Sequence, residues 1–205
     1  MATVTTQDIQ KLRLATGAGL MAAKGALQEA AGDFEKAVDL LRKRGVKVAA
    51  GKGDRVTSQG LVEAYIHGGG TLGVLVEVAC ETDFVARTDT FKELAHDLAL
   101  QVAAANPQYL APENVPAEVV AREQSVYAEQ LKEQGKAGAM AEKIIQGKLA
   151  KFYQEVCLLQ QPFFKDDSKT VGEVVTHTIA TLGENIKVKR FVRFSLSGGA
   201  AVWVS

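Results

Sequence analysis

The sequence predicts an α+β protein: a small three-helix domain over residues 1–52, then a core domain over 53–205 in which an antiparallel β-sheet is packed with helices. An antiparallel helical hairpin at about 117–158 protrudes from that core. Three observations carry this reading. The apolar spacing is helical as far as about residue 50 and changes to a period of two near residue 60. The polar, Gly-containing GKGDRVTSQG (51–60) lies between the two regimes and reads as a linker, so the domain boundary falls near Lys52. Farther on, two charged, Gln-rich helical segments are separated only by GKAG (135–138).

In the first domain, Ile9, Leu12 and Leu14 mark one helix, Leu20, Met21, Ala23 and Leu27 a second, and Phe34, Ala37, Val38, Leu40 and Leu41 a third. Thr5 or Thr6 starts the first, Gly17 and Gly19 separate it from the second, Asp33 after Gly32 caps the third, and Gly45 is expected to end it. Beyond the linker, Leu61–Ile66 and Leu72–Ala79 alternate around His67-Gly-Gly-Gly, the pattern of a β-hairpin. The second strand is apolar enough to be covered on both sides. A helix over Thr90–Ala105, with Phe91, Leu94, Ala95, Leu98 and Val102 in one stripe, supplies the cover.

The hairpin helices are expected at Ala117–Gln134 and Met140–Leu158. Val120, Tyr127 and Leu131 on the first can face Ile145, Leu149, Phe152 and Val156 on the second. Two stripes this narrow describe either an arm that contacts a partner or two ordinary amphipathic helices of the core. Near the C-terminus, ENIKVKRFVRFSL alternates Ile186 and Val188, then Phe191 or Val192, with basic residues, which predicts a further strand with one wet face.

Composition removes several function classes. The 24 basic and 24 acidic side chains cancel, so the chain has no strong positive field of the kind non-specific nucleic-acid binding uses. No apolar run reaches the ~20 residues of a membrane-spanning helix. Cys80 and Cys157 form no CxxC pair and the N-terminus has no signal-like segment, so the expectation is a reduced, soluble, cytoplasmic protein without a disulfide.

Enzyme chemistry is poorly supported. His67, His96 and His177 are scattered, and neither HExxH nor G-x-S-x-G occurs. Gly17-Ala-Gly lacks the rest of a phosphate loop and reads as helix punctuation. Glu81, Asp83 and Asp89 match no metal-ligand spacing, so no metal and no catalytic residue are assigned. The stretch CETDFVART (80–88) poses a sharper question, because it puts a phenylalanine where the chain turns toward water. Asp83 can open a helical turn by accepting backbone hydrogen bonds. Phe84 can fold into the core as a staple, or serve as an aromatic anchor for another protein.

The segments LRLATGAGLMAAKGALQEAAGDFEKAVDLLRKRG, LGVLVEVACETDFVA, AEKIIQGKLAKF, QPFFKDDSKTVGEV and FVRFSL occur in that order over nearly the whole chain. Together they resemble the elongation factor Ts family. TGAG (Thr16–Gly19) and TDFVA (Thr82–Ala86) are the most specific matches. The resemblance implies a guanine nucleotide exchange factor, without bond-making chemistry and without a cofactor, whose partner is elongation factor Tu in its GDP-bound and nucleotide-free forms. It implies an N-terminal module of ubiquitin-associated type in which Arg13, Leu20 and Met21 make an apolar pocket with a cationic edge for a partner helix. Leu20 stands where many relatives have methionine, a volume-conserving change.

By the same resemblance, Thr82, Asp83, Phe84 and Val85 meet the partner's magnesium and nucleotide site. Phe84 inserts between partner helices and disturbs the shell around Mg²⁺, and Asp83 helps to fix the geometry. The chain has one core hairpin and one TDFVA, as in the family's short form, so a homodimer joined through the core sheet is expected, with neither membrane nor direct nucleic-acid binding. Two classes compete: a non-catalytic binding module of the translation machinery, which would bind the GTPase yet leave nucleotide release unchanged, and an RNA-binding translation protein, which would use the stripe Lys187, Lys189, Arg190 and Arg193.

Overall fold

The computed structural model describes residues 4–196 and 202–204. Three N-terminal helices, α1 (Thr6–Thr16), α2 (Leu20–Glu29) and α3 (Phe34–Ala50), precede the hairpin of β1 (Gln59–His67) and β2 (Leu72–Cys80). The one-turn α4 (Asp83–Ala86) and the longer α5 (Asp89–Ala105) follow, then α6 (Ala117–Glu133), α7 (Ala139–Val156), β3 (Pro162–Phe163), β4 (Asp166–Thr170), α8 (Val171–Leu182), β5 (Ile186–Ser195) and β6 (Val202–Val204). The main sheet has the order β1-β2-β5-β6, and β3 pairs with β4 in a separate two-stranded sheet. This is the expected α+β architecture. No helix among the described residues is long and apolar enough to cross a membrane.

The fold resolves into two compact units. One takes the chain up to Gly60 with Ala79–Lys92 and Val175–Lys187; the other takes Leu61–Val78, Glu93–Val174 and the chain from Val188. In the first unit, Ile9, Leu12, Ala23, Ala26, Leu27, Ala30 and Ala37 form the core of the three helices, with Phe34, Val38, Leu40 and Leu41 packed around them. So many alanines bring the helix axes close, because a helix face of methyl groups has little to keep its neighbour away. Thr5 and Asp8 form a capping box at the start of α1, and Asp33 caps α3 through the Lys36 N–H (3.1 Å). Gly45 does not end α3, which continues to Ala50. A Cβ at Gly45 would lie 3.3 Å from the Ala180 Cβ, so this glycine serves the close approach of α8.

In the second unit, Val74, Val76 and Val78 of β2 are buried, as are Leu94, Leu98 and Val102 of α5. His96 of α5 meets Glu63 of β1 (2.9 Å), and Arg193 of β5 donates to the Ala103 carbonyl (3.4 Å), so α5 lies across this face of the sheet. The opposite face departs from the expectation for β2. Leu75 is exposed and Glu77 half-buried, and Glu77 is held by Arg190 of β5 (2.6 Å). The strand is therefore covered on one side along its first half, and an ion pair on the wet face replaces apolar cover. Gly73 lies on that wet face beside Ile66, where a Cβ would come within 3.2 Å of Ile66 Cδ1.

The helices α6 and α7 pack on each other, and Lys148 of α7 sits 5.0 Å over the Tyr127 ring while donating to Gln130 (2.7 Å). Only Leu131 and Leu149 are buried among the described residues of these two helices. The base of the arm is tied more firmly: the Val156 carbonyl accepts from the Gln108 and Tyr109 N–H groups (2.8 and 3.0 Å). Replacing Ala121–Leu149 by a short glycine linker should thus leave the rest of the chain folded, because both buried leucines leave together and the Val156 ties remain. Far-UV circular dichroism and a thermal melt check this, and loss of the cooperative transition would show that the helices belong to the core.

Candidate functional site

The TDFVA segment takes its position from the end of β2, where Ala79 and Cys80 are buried. The Cys80 thiol donates to the Thr82 carbonyl (3.1 Å), and burial pushes its pKa up, as it pushes that of Cys157 up to about 11. Both cysteines are free. Thr82 is extended (φ −125°, ψ 157°) and acts as the N-cap of α4, its hydroxyl accepting from the Val85 N–H (3.4 Å). Capping by Thr82 leaves Asp83 out of that role, contrary to the sequence reading. Asp83 instead pairs with Arg87 one turn on (2.8 Å), the Arg87 side chain largely and the Asp83 side chain half in solvent.

The turn is held from outside by two segments distant in sequence. Thr82 donates its N–H to Glu184 Oε2 (3.0 Å) and its hydroxyl to Glu184 Oε1 (2.6 Å). Glu81 Oε1 accepts from the Asn185 N–H (2.6 Å), a bond that holds the Glu81 pKa below its ordinary value, with the nearby Arg55 guanidinium (3.4 Å) adding to the effect. The Asn185 side chain, 2% exposed, donates to the Gly53 and Arg55 carbonyls (3.2 and 2.9 Å). At the other end of the turn, the Thr88 hydroxyl donates to the Val85 carbonyl (2.8 Å) and accepts from the Phe91 N–H (3.2 Å).

On this braced turn Val85 and Ala86 are half-buried, while Phe84 and Arg87, three residues apart on one helical side, face solvent. Phe84 is 79% exposed, so it is not a staple folded into the core. Thr82, Asp83, Phe84 and Val85 thus stand together on one turn. The carboxylates of Glu81 and Asp83 are directed to Asn185 and Arg55, and to Arg87, rather than toward a shared ligand position.

The TGAG turn closes α1. Gly17 adopts a left-handed conformation (φ 64°) that caps the helix through its N–H to the Arg13 carbonyl (2.8 Å). A Cβ there would lie 3.4 Å from His177 Nε2, at the near edge of ordinary contact, so it is the left-handed backbone that favours glycine at this position. Arg13 reaches the Ala18 carbonyl (3.4 Å) and with Gln10, Leu14, Gly17 and Ala18 lines an open hollow of about 340 Å³. Leu20 and Met21, which open α2 just after the turn, are 51% and 74% exposed and are not among that lining set. The TGAG surface is therefore apolar with a guanidinium, and Leu14 adds an exposed side chain that the sequence reading placed inside the helix stripe.

Sequence reasoning also missed Glu184 and Asn185. Their one signal was Gly183, left-handed at φ 74°, which ends α8 immediately before them. Two of the histidines described as scattered come together: His67 Nδ1 is 2.7 Å from the Tyr65 hydroxyl, and the His96 ring meets the edge of Tyr65 with ring centres 6.1 Å apart.

Comparison with known proteins agrees with the order of these motifs. The family model described as Elongation factor TS matches residues 6–198. The elongation factor Ts of Carboxydothermus hydrogenoformans is 52% identical over 198 residues, covering 97% of this chain and 91% of that protein. That of Moorella thermoacetica is 53% identical over 196 residues, covering 96% and 97%, and that of an Anaeromyxobacter species 53% identical over 199 residues, covering 97% and 91%. With half of all positions shared along nearly the full length, the chain belongs to the elongation factor Ts family.

Proposed function

We propose that the chain is a guanine nucleotide exchange factor for elongation factor Tu, and that Phe84, set beside Asp83 on the turn after β2, is the group that disturbs the partner's magnesium and nucleotide site. The observation that carries this reading is the placement of Phe84: a ring 79% exposed on a turn braced at both ends. A backbone turn fixed before any partner arrives leaves only the side-chain rotamer of Phe84 to be ordered on binding, as suits an anchor that inserts. Residues 1–52 act on this reading as a docking module of ubiquitin-associated type, with Arg13, Leu20 and Met21 on its contact surface.

Exchange requires no chemistry by the factor's own residues. Linkage demands that if the factor weakens GDP binding by some ratio, GDP weakens the factor's binding by the same ratio. The factor then binds the nucleotide-free GTPase more tightly than the GDP form and leaves as GTP binds. Release of a fluorescent GDP analogue from elongation factor Tu, followed by stopped flow, tests the reading: acceleration by this protein supports it, and an unchanged release rate refutes it. Such a factor works where translation occurs, in the cytoplasm.

The short, single-repeat form of the core supports a homodimer joined through the sheet. Val62 and Ile66 on the edge strand β1, with Leu75 beside them on β2, are exposed and give that joint apolar surface. Sedimentation equilibrium at micromolar concentration should return twice the chain mass, and the mass of one chain would overturn the dimer. The nucleic-acid reading is weakened by its own stripe, because Arg190 is held by Glu77 and Arg193 by the Ala103 carbonyl.

A further inference from the structure

We propose that Glu184 is a positioning residue for exchange: its carboxylate grips Thr82 and thereby holds the turn that presents Phe84 to the GTPase. The inference rests on the exchange reading above and adds to it a residue about one hundred positions away in sequence.

A helix of four residues has no stability of its own, since its nucleation is unfavourable and it gains almost no propagation. Something outside α4 must hold it. Glu184 does so at two points on one residue, the Thr82 N–H (3.0 Å) and the Thr82 hydroxyl (2.6 Å). Because the hydroxyl donates to Glu184, its lone pair is turned toward the Val85 N–H, so the same contact also sets the N-cap.

The grip is reciprocal. Glu81-Thr82 and Glu184-Asn185 are two short segments in which the acid of each accepts the backbone N–H of the other. The buried Asn185 amide fastens this clasp to the Gly53 and Arg55 carbonyls just beyond α3. Five hydrogen bonds to backbone or side-chain atoms of residues 81, 82, 53 and 55 thus converge on a dipeptide that touches neither Phe84 nor Asp83 through any of them. A ring pushed between partner helices pushes back on the turn that bears it, and the clasp opposes that displacement. Its loss would therefore slow the insertion step more than it weakens first encounter.

The test is stopped-flow GDP release from elongation factor Tu with the full chain, varying the factor concentration so that the maximal rate and the half-saturating concentration separate. Glu184→Ala should lower the maximal rate about fivefold or more and shift half-saturation less than about twofold. Glu184→Gln keeps an acceptor oxygen for the Thr82 N–H and an amide N–H that the hydroxyl can accept, and should stay within about twofold of the wild type. In a Phe84→Ala background, Glu184→Ala should cost less than about twofold, because Glu184 acts through the ring.

A wild-type rate in Glu184→Ala, an equal loss in both backgrounds, or a Gln variant as slow as the Ala variant would overturn the proposal. Failure of the wild type itself to accelerate release is a different result, and it would remove the exchange reading instead. If Glu184→Ala is partly unfolded at the assay temperature, Glu184→Asp replaces it under the same criteria, its side chain one methylene too short to span both contacts.

Discussion

Phe84→Ala should reduce the acceleration of GDP release roughly tenfold or more, about 1.4 kcal/mol at the barrier, while leaving the protein as stable as the wild type. The ring is 79% exposed, so truncation removes little buried area and the thermal midpoint should hardly move. The neighbouring features survive: Thr82 still caps α4, Glu184 still grips Thr82, and Arg87 still pairs with Asp83. Loss of activity in a folded variant would then be assigned to the ring alone. Stopped-flow release read beside a thermal melt separates the outcomes, and undiminished exchange would remove Phe84 from the mechanism.

Phe91→Ala should do the reverse. Phe91 lies seven residues on, in the first turn of α5, and is 0% exposed. It is the largest fully buried side chain among the described residues, and truncating a buried phenylalanine to alanine costs about 3–5 kcal/mol from lost burial and the cavity left behind. For a marginally stable chain this is a large share of the total. A urea titration should show the midpoint falling steeply, and exchange activity should be lost only in proportion to the unfolded fraction. Full stability in the variant would mean that the site had collapsed around the gap. The same residue type seven positions apart thus serves a partner in one case and the protein's own core in the other.

Much of the fold was legible because local signals agreed with one another. The period change near residue 60, the caps at Thr5 and Asp33, the His67-Gly-Gly-Gly turn and the stripe of α5 all fall where the elements lie. Gly45 misled because a glycine that ends a helix and one that lets another helix approach look the same in sequence. Only Ala180, at a Cβ separation of 3.3 Å, tells them apart. The wet face of β2 was hidden for a similar reason, since an apolar run does not say that Glu77 will find Arg190 across the sheet.

Within the candidate site, the sequence by itself determined the family, the TGAG and TDFVA motifs and the choice of Phe84 as the residue in question. These are local strings, and local strings survive in order along the chain. The tertiary structure alone decided that the ring faces water, that Thr82 rather than Asp83 caps the turn, and that Glu184 and Asn185 hold it from about one hundred residues away. The physical reason is that a one-turn helix has too few bonds of its own to fix its direction. What fixes it are hydrogen bonds to segments that are neighbours only once the chain has folded.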